Sequence, residues 1–259
     1  MTTIDSHIRV CVVCEAKADA MIVQDLSDRV LLESERVSWI DSQEMVQYCR
    51  EWTDYEYGIP YIIWRKIDGY INNLSVVKPH RHGFFGDKPA EPYAITAWKA
   101  LSIIKTLDSP PESVFLIVDA DDQVERKIGL NQARNSDGWP FRIIVVGLAI
   151  TKRECWVLAG FDPQDDDERN RLQTMRSELG FSPTRDSHRL GAKHEKDKKN
   201  AKRVLSQLTN DDHSRQKLCW RETPLSTLRE NGSQNGLADF LDELEERYVP
   251  LFTDHRTTS

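Results

Sequence analysis

The sequence predicts an α/β protein with a mostly parallel β-sheet, covered by helices on both faces and followed by a helical C-terminal appendage. Continuous apolar runs at residues 8–14, 114–118 and 141–150 indicate strands that are buried on both sides. Segments with helical spacing of apolar residues separate these runs, which is typical of a parallel sheet. With 259 residues, 39% of them hydrophobic, the chain can bury a large core.

The predicted elements follow one another in the order of an α/β unit. After the first strand, apolar residues recur at helical spacing over 17–32. A second helix over about 93–107 precedes the strand at 114–118 and is stopped by Asp108-Ser109-Pro110-Pro111. A third helix begins near Lys152, after the third strand, and breaks at Gly160.

The domain organisation follows from these patterns. We expect an α/β core over 1–160 that carries an aromatic-rich insertion at about 37–92. The region 161–259 should be mostly helical and pack on the core, with weak helices near 168–179 and 198–208 and a clearer one over 237–252. The acidic run at 165–168 is interpreted as the N-terminus of a helix.

Composition excludes several classes of protein. No apolar run approaches the roughly 18 residues that span a bilayer, and the N-terminus lacks the order of a signal peptide, so we expect a cytoplasmic protein without membrane contact. The five cysteines are an odd, scattered set, which argues against a disulfide framework. Cys11 and Cys14 lie within a predicted strand, where residues three apart point to opposite faces, so core packing is favoured over a zinc or redox role.

Charge argues against a protein that grips nucleic acid over its whole surface. The chain has 35 Lys and Arg against 42 Asp and Glu, which gives a net charge of −7. The segment 193–203 is the exception, with six basic residues against two acidic ones. It predicts a local nucleic-acid contact, against the alternative of a solvated helix face.

Carboxylates stand where two of the predicted strands end. Glu15 closes the first strand, and Asp119, Asp121 and Asp122 follow the second. In open α/β sheets, ligands bind outside the carboxyl ends of the strands. Because strand side chains alternate in direction, Asp119 and Asp121 are expected to share a face. Neighbouring carboxylates repel unless a cation lies between them, and hard oxygen ligands suit Mg²⁺ or Mn²⁺.

This pattern resembles the Toprim domains of topoisomerases, bacterial primases and overcoming-lysogenization-defect nucleases. Glu15 in VCEAKAD matches the family's strand-end Glu, and Asp119 and Asp121 in FLIVDADD match its Asp-x-Asp pair. Ala16 stands where the family usually has Gly. The segment KRECWVLA at 152–159 is similar to a helix of small stand-alone Toprim proteins that are often encoded beside an ATPase in bacterial defence islands.

The resemblance implies a Toprim-like core and a Mg²⁺- or Mn²⁺-dependent endonuclease. Its metal ligands would be Glu15, Asp119, Asp121 and Glu154, with the first three also catalytic, because paired divalent ions can activate water and stabilise the leaving oxygen. A basic residue near the metals would neutralise charge on the phosphate. The choice among the lysines is open; we assign the catalytic role to Lys196 and nucleic-acid binding to a further set: Lys193, Lys198, Lys199 and Arg203.

The resemblance also implies partners. They are nucleic acid, with DNA favoured over RNA, and a separate ATPase, since this sequence has no GxxxxGK[ST] loop of its own. The chain would then be the effector subunit of an ATPase-coupled anti-phage defence system. The aromatic-rich stretch at 39–70 and the helix at 237–252 are candidate docking surfaces, and the alternative is that both pack on the chain's own core.

Two other functions fit part of the pattern. A metal-dependent glycosyltransferase would use Asp119 and Asp121 to hold the diphosphate of a nucleotide sugar through a metal, but it leaves Glu15 without a role. A non-catalytic Toprim-like module would bind a partner or nucleic acid and tolerate replacement of its acids. Cleavage of nucleic acid against release of sugar from nucleotide sugars distinguishes the enzymes.

Overall fold

The computed structural model describes residues 7–74, 82–136 and 138–253. The strands are β1 (Ile8–Cys14), β2 (Arg50–Trp52), β3 (Ile62–Ile63), β4 (Phe84–Phe85), β5 (Lys88–Pro89), β6 (Ser113–Asp119) and β7 (Ile143–Ala149). The α-helices are α1 (Lys17–Glu33), α2 (Gln43–Cys49), α3 (Ile67–Asn73), α4 (Ala94–Lys105), α5 (Arg126–Arg134), α6 (Arg153–Ala159), α7 (Asp166–Leu179), α8 (Ala201–Thr209), α9 (His213–Arg221), α10 (Leu225–Asn231), α11 (Leu237–Glu243) and α12 (Pro250–Thr253).

The main sheet has the strand order β2-β1-β6-β7, and β3 also pairs with β1. β1 runs parallel to β2, β3 and β6. In the pairing of β1 with β6, Val10 lies beside Ser113 and Val13 lies beside Leu116. The prediction of an α/β protein with a mostly parallel sheet flanked by helices is therefore confirmed, as is its helical C-terminal part.

Burial explains why the apolar runs become strands. Val10 to Cys14 in β1 and Val114 to Leu116 in β6 are completely buried. Their branched and aromatic side chains favour a pleated strand that is covered on both faces. The predicted helices at 17–32 and 93–107 are present as α1 and α4, with ends shifted by one or two residues.

The chain divides into two compact units. Unit 1 comprises residues 1–118, 125–147 and 242–259, and unit 2 comprises residues 119–124 and 148–241. In this division α6 belongs to unit 2 and α12 belongs to unit 1, and the domain boundary expected at residue 160 stays a prediction. Apolar patterns locate elements, whereas the contacts that group the elements are formed by residues distant in sequence.

Much of the aromatic insertion packs within unit 1. The Trp64 indole is 6% exposed, and its N–H donates a 2.6 Å hydrogen bond to the Ile117 carbonyl of β6. Trp52 makes an edge contact with Phe115, with ring centroids 6.1 Å apart. Tyr48, Tyr57 and Phe84 are exceptions: they are exposed, Tyr57 fully so. Core packing accounts for the buried Trp64 ring and for the contact of the half-buried Trp52, as the alternative interpretation expected.

Unit 2 is built around α6, which contacts α8, α9 and α10. The acidic run at 165–168 forms the N-terminus of α7 as predicted: the Asp165 carboxylate accepts the Glu168 N–H at 2.7 Å. Glu168 also accepts two hydrogen bonds from the Arg215 guanidinium of α9, at 2.7 and 2.9 Å. Their side chains are only 7% and 9% exposed, so this is a buried ion pair.

The helix predicted over 237–252 is interrupted. It consists of α11, a π-helical turn at Leu244–Tyr248, and α12. Its predicted apolar stripe is nonetheless buried: Leu237, Phe240, Leu241, Leu244, Tyr248 and Leu251. No helix among the described residues is long and apolar enough to cross a membrane.

All five cysteines are buried and unbridged, as expected from their scattered positions. Burial raises the pKa of the Cys11 thiol to about 12 and that of Cys14 further. Both thiols would therefore remain protonated, which supports their interpretation as core residues.

Candidate active site

In unit 1, Glu15 is the first residue after β1, and the turn that holds it depends on Asp19. The Asp19 carboxylate accepts the N–H groups of Glu15 at 3.0 Å and Ala16 at 2.8 Å. Asp19 is buried and lies in the first turn of α1, so it satisfies N–H groups that the helix itself leaves open. This fixes the backbone of Glu15 between strand and helix.

Glu15 borders a cleft of about 430 Å³ within unit 1. The residues that line it are Glu15, Ile63, Trp64, Arg65, Tyr93 and Thr96. It is the only predicted site residue along this cleft. Ile63, Trp64 and Arg65 come from the insertion between α1 and α4, and no sequence motif marks them as site residues.

In unit 2, the residues after β6 form a tight acidic loop. The Ala120 N–H donates to the Ala149 carbonyl at 2.8 Å, and the Asp121 N–H donates to the Thr151 carbonyl at 2.9 Å. Asp121 has a φ of +48°, a left-handed conformation that Asp tolerates better than most residues. Because β6 ends at Asp119, the expectation that Asp119 and Asp121 share a face through strand alternation does not hold: Asp121 lies beyond the strand.

The start of α6 provides hydrogen bonds to two of the predicted acids. The Asp119 carboxylate accepts the Arg153 N–H at 2.8 Å. The Glu154 carboxylate accepts the Arg153 guanidinium at 2.8 Å and is nearly buried. Asp119 and Glu154 are thus both linked to Arg153, which sequence reasoning did not identify as a site residue.

Asn235 fixes the segment that carries Arg153. It is 1% exposed, and its side-chain amide donates to the Cys155 carbonyl at 2.8 Å and to the Ser187 hydroxyl at 2.9 Å. Its backbone carbonyl accepts the Ile150 N–H at 2.8 Å and the Trp156 indole N–H at 2.9 Å. The beginning of α6 is therefore anchored on both sides of Arg153.

The basic segment meets the acidic loop through Lys193. The Lys193 ammonium lies 2.5 Å from the Asp122 carboxylate, and both side chains are exposed. The hydrogen bond and charge of Asp122 raise the pKa of Lys193 above its usual value. Lys193 is thus the member of the segment that contacts this loop.

The other predicted cations of the segment have different surroundings. The Lys198 ammonium donates to the Glu178 carbonyl at 3.3 Å, and the Arg203 guanidinium donates to the Lys196 backbone carbonyl at 2.5 Å. Lys196 and Lys199 are exposed. The helix expected from about residue 198 starts only at Ala201, where Asn200 caps it, so the lysines precede the helix.

The predicted metal ligands do not form a ready-made set. In the described parts of the chain, no three His, Cys, Asp or Glu side chains are grouped so that they could hold a metal ion. Glu15 belongs to unit 1, whereas Asp119, Asp121 and Glu154 belong to unit 2. The carboxylate oxygens are chemically suited to Mg²⁺, but Asp119 and Glu154 already accept hydrogen bonds from Arg153.

A larger cavity, of about 620 Å³, lies in unit 2 between α7, α9 and α10. None of the predicted site residues lines it. Three arginines and three acids share its wall, so it presents no clear excess of charge to a ligand: Arg176, Arg185, Arg215, Asp162, Glu222 and Glu230.

Two supporting residues were missed by sequence reasoning although each carries a recognisable signal. Asp19 lies in the first turn of a helix that begins directly after a strand. At this position an Asp carboxylate can accept hydrogen bonds from backbone N–H groups that have no partner within the helix. Asn235 precedes Gly236, and an Asn-Gly dipeptide marks a turn. By contrast, the Arg153 contact with Asp119 depends on tertiary structure and leaves no pattern in the sequence.

Comparison with known proteins adds no relative. No family model matches the chain, and no curated protein and no solved structure matches it.

Proposed function

We propose that this chain is a metal-dependent nuclease that hydrolyses phosphodiester bonds of nucleic acid. The observation that carries the proposal is the arrangement of β1 and β6, which are neighbouring parallel strands. Glu15 directly follows β1, and Asp119 is the last residue of β6. Ligands of open α/β sheets bind beyond such carboxyl ends, and the same pattern underlies the resemblance to Toprim domains.

The chemistry assigned to the residues follows from their charge. Glu15, Asp119, Asp121 and Glu154 would supply carboxylate oxygens to Mg²⁺ or Mn²⁺, ions that activate water and stabilise a leaving oxygen. Asp119 and Glu154 each accept a hydrogen bond from Arg153 on one carboxylate oxygen, and a carboxylate has two oxygens with which to accept donors or bind an ion. Lys193, beside the acidic loop, is the cation that we place near the substrate phosphate.

The partners and setting are proposed on the resemblance. Nucleic acid, with DNA favoured over RNA, would be the substrate, and a separate ATPase would control the chain within a cytoplasmic anti-phage defence system. A nuclease free in its host would damage the host's own nucleic acid, so a requirement for such a partner is consistent with the proposed activity.

The decisive experiment compares the parent protein with Glu15→Gln and Asp119→Asn. Each protein is incubated alone and with the ATPase encoded next to it, with plasmid, single-stranded DNA or RNA in Mg²⁺ or Mn²⁺. The parent with the ATPase should cleave, and each variant should lose about 100-fold or more of this activity, because each removes a charged ligand. Glu44→Gln, an exposed acid on α2, is the matched control and should cleave normally.

Metal binding can be measured independently of cleavage. A ligand that binds the folded state raises the melting temperature, so Mg²⁺ or Mn²⁺ should stabilise the parent more than Glu15→Gln. Normal cleavage by Glu15→Gln would refute the assignment. Release of sugar from nucleotide sugars, with intact nucleic acid, would establish the glycosyltransferase instead.

A further inference from the structure

The cleft beside Glu15 has the size and mixed chemistry of a ligand-binding site. Its volume of about 430 Å³ falls within the roughly 300–1,000 Å³ of small-molecule pockets. Ile63 and Trp64 give it apolar surface, and Arg65 and Thr96 give it hydrogen-bond donors. An anion with a flat apolar part would find a complementary group for each of its halves.

Arg65 is the positively charged residue of this cleft. It is exposed, and within the described residues its side chain forms no hydrogen bond or ion pair. The adjacent Lys66, in contrast, is paired with Glu56 at 2.8 Å. A guanidinium presents planar, charged donors that match a phosphate, and Arg65 would offset the repulsion between that phosphate and Glu15.

Tyr93 provides the aromatic part of the cleft. Its ring centroid lies 5.6 Å from that of Trp64 at a nearly perpendicular angle, and the Arg126 guanidinium lies 4.7 Å from the Tyr93 ring centre. Trp64 is itself fixed by its hydrogen bond to Ile117. The neighbours of Tyr93 therefore hold its ring in a defined position, although its backbone adopts the unfavourable left-handed conformation with φ +67°.

We propose that this cleft binds one nucleotide of a single-stranded nucleic acid, with its phosphate at Arg65 and Thr96 and its base against Tyr93. The inference rests on the proposed function, because it assigns the cleft to the nucleic-acid strand that would be cleaved at the metal site containing Glu15. A single strand is required, since a base in a duplex is stacked and its face is covered. Aromatic side chains bind unstacked bases with little dependence on sequence.

The test measures binding without cleavage. A fluorescein-labelled single-stranded oligonucleotide is titrated with the full chain in EDTA, and the affinity of the parent is compared with that of Arg65→Ala, Arg65→Lys and Tyr93→Asn. Arg65→Ala should weaken binding about tenfold or more, because a charge-assisted hydrogen bond is lost, and Arg65→Lys should restore part of it.

Tyr93→Asn removes the ring but keeps a residue that tolerates a positive φ, so the variant should fold and bind more weakly. Arg36→Ala is the matched control, since it removes an exposed arginine of the same unit whose guanidinium contacts the Glu245 carbonyl. It should bind as the parent does, and the melting temperatures of all variants should stay close to that of the parent.

The failure of this inference differs from failure of the nuclease proposal. Equal affinity of the parent and Arg65→Ala, or no binding by the parent, overturns the cleft assignment even if Mg²⁺-dependent cleavage is observed. Binding that depends on Arg65 and Tyr93, without cleavage by the parent under any metal condition and with or without the neighbouring ATPase, supports the cleft and refutes the nuclease. An equal loss in Arg36→Ala would mean general charge attraction and would also overturn the assignment.

Discussion

Single residues in the candidate site are held by more than one hydrogen bond, and this determines which of them can act. Asp19 accepts two N–H groups at the start of α1, and Asn235 anchors the segment around α6 through its amide and its carbonyl. Such buried polar groups have a structural role, because leaving one unsatisfied costs about 1–3 kcal/mol. Lys193 differs from them, because its side chain is exposed and pairs with the exposed Asp122.

The first prediction therefore concerns Lys193. Lys193→Ala should lower kcat by about 100-fold or more, because it removes a charge that stabilises the phosphate in the transition state. Binding should weaken much less. Single-turnover cleavage and equilibrium binding in EDTA, measured on the same oligonucleotide, separate the two effects.

Lys196→Ala is the control for this prediction and also tests the assignment made from the sequence. Lys196, Lys198 and Lys199 should contribute mainly to general phosphate attraction, so their combined replacement should weaken binding and flatten its salt dependence. A large loss of kcat in Lys196→Ala, with normal turnover in Lys193→Ala, would restore the original assignment.

Strands β1, β6 and β7 and several helices could be predicted because their burial is uniform or periodic, whereas the short strands β2 to β5 of the insertion were not. β1 and β6 were visible as apolar runs, and α1 and α4 as amphipathic spacing. Helix α9 was missed, since part of its buried face is Arg215, whose charge breaks the apolar pattern. The strand ends, and with them Glu15 and Asp119, were predictable; the bonds from Arg153 and Lys193 join segments far apart in sequence and were not.

A second prediction compares two glycines that share a positive φ. Gly236 has φ +84°, and a Cβ there would lie 1.9 Å from the Leu148 carbonyl oxygen. Gly180 has φ +75° with no atom within 4 Å of such a Cβ. Gly180→Ala should cost about 1–2 kcal/mol for its backbone alone, and Gly236→Ala about 3 kcal/mol or more, because its backbone must also shift.

Urea unfolding of both variants measures this difference. The comparison isolates the close approach, since the left-handed conformation is common to the two positions. Similar losses in the two variants would mean that the chain near Leu148 yields easily and that the turn after Asn235 is not tightly packed.

A third prediction concerns the buried pair that links α7 and α9. Burial alone would raise the pKa of Glu168, but the hydrogen bonds from Arg215 and from the Gln164 N–H, together with the charges of Arg215 and Arg171, outweigh it and lower the pKa. Arg215→Ala leaves this carboxylate buried without its partner and should cost about 3–5 kcal/mol at neutral pH. Arg169→Ala, which breaks the exposed pair with Asp166, should cost about 0–1 kcal/mol.

The pH dependence of the pair follows from its sign. A carboxyl whose pKa is lowered by folding stabilises the folded state above its ordinary value of 4.5, and this contribution disappears as pH falls through the lowered pKa. The stability difference between the parent and Arg215→Ala should therefore shrink below about pH 4.5. A difference that is constant from pH 7 to pH 3 would exclude the proposed electrostatic origin.

At the scale of the whole molecule, the net charge of −7 means that the proposed binding of nucleic acid would have to be local. The basic segment and the cleft at Arg65 are two such local features, in unit 2 and unit 1 respectively. The apolar stripe of the C-terminal segment is buried, so it is not available as a docking surface. Within the aromatic-rich stretch, Tyr57 is fully exposed and Tyr48 is 49% exposed.

The fourth prediction is that a partner ATPase contacts the aromatic stretch rather than the C-terminal helices. Co-purification with the ATPase encoded next to the chain, followed by hydrogen exchange, should show protection around residues 48–57 and no change over 237–252. Tyr57→Ala should weaken the complex without lowering the stability of the chain, because this ring has no packing to lose. Full cleavage by the isolated chain, with no protected segment, would refute control by a partner.

Because every cysteine is buried, the reactivity of its thiol depends on local opening of the structure. Cys11, Cys14 and Cys49 lie in unit 1, and Cys155 and Cys219 lie in unit 2. A thiol-specific reagent can reach each sulfur only when the surrounding structure opens, so modification rates measure local opening as amide exchange does. Mass spectrometry of the labelled peptides would therefore measure the rate of local opening in each unit separately, in the unaltered protein and without any introduced probe.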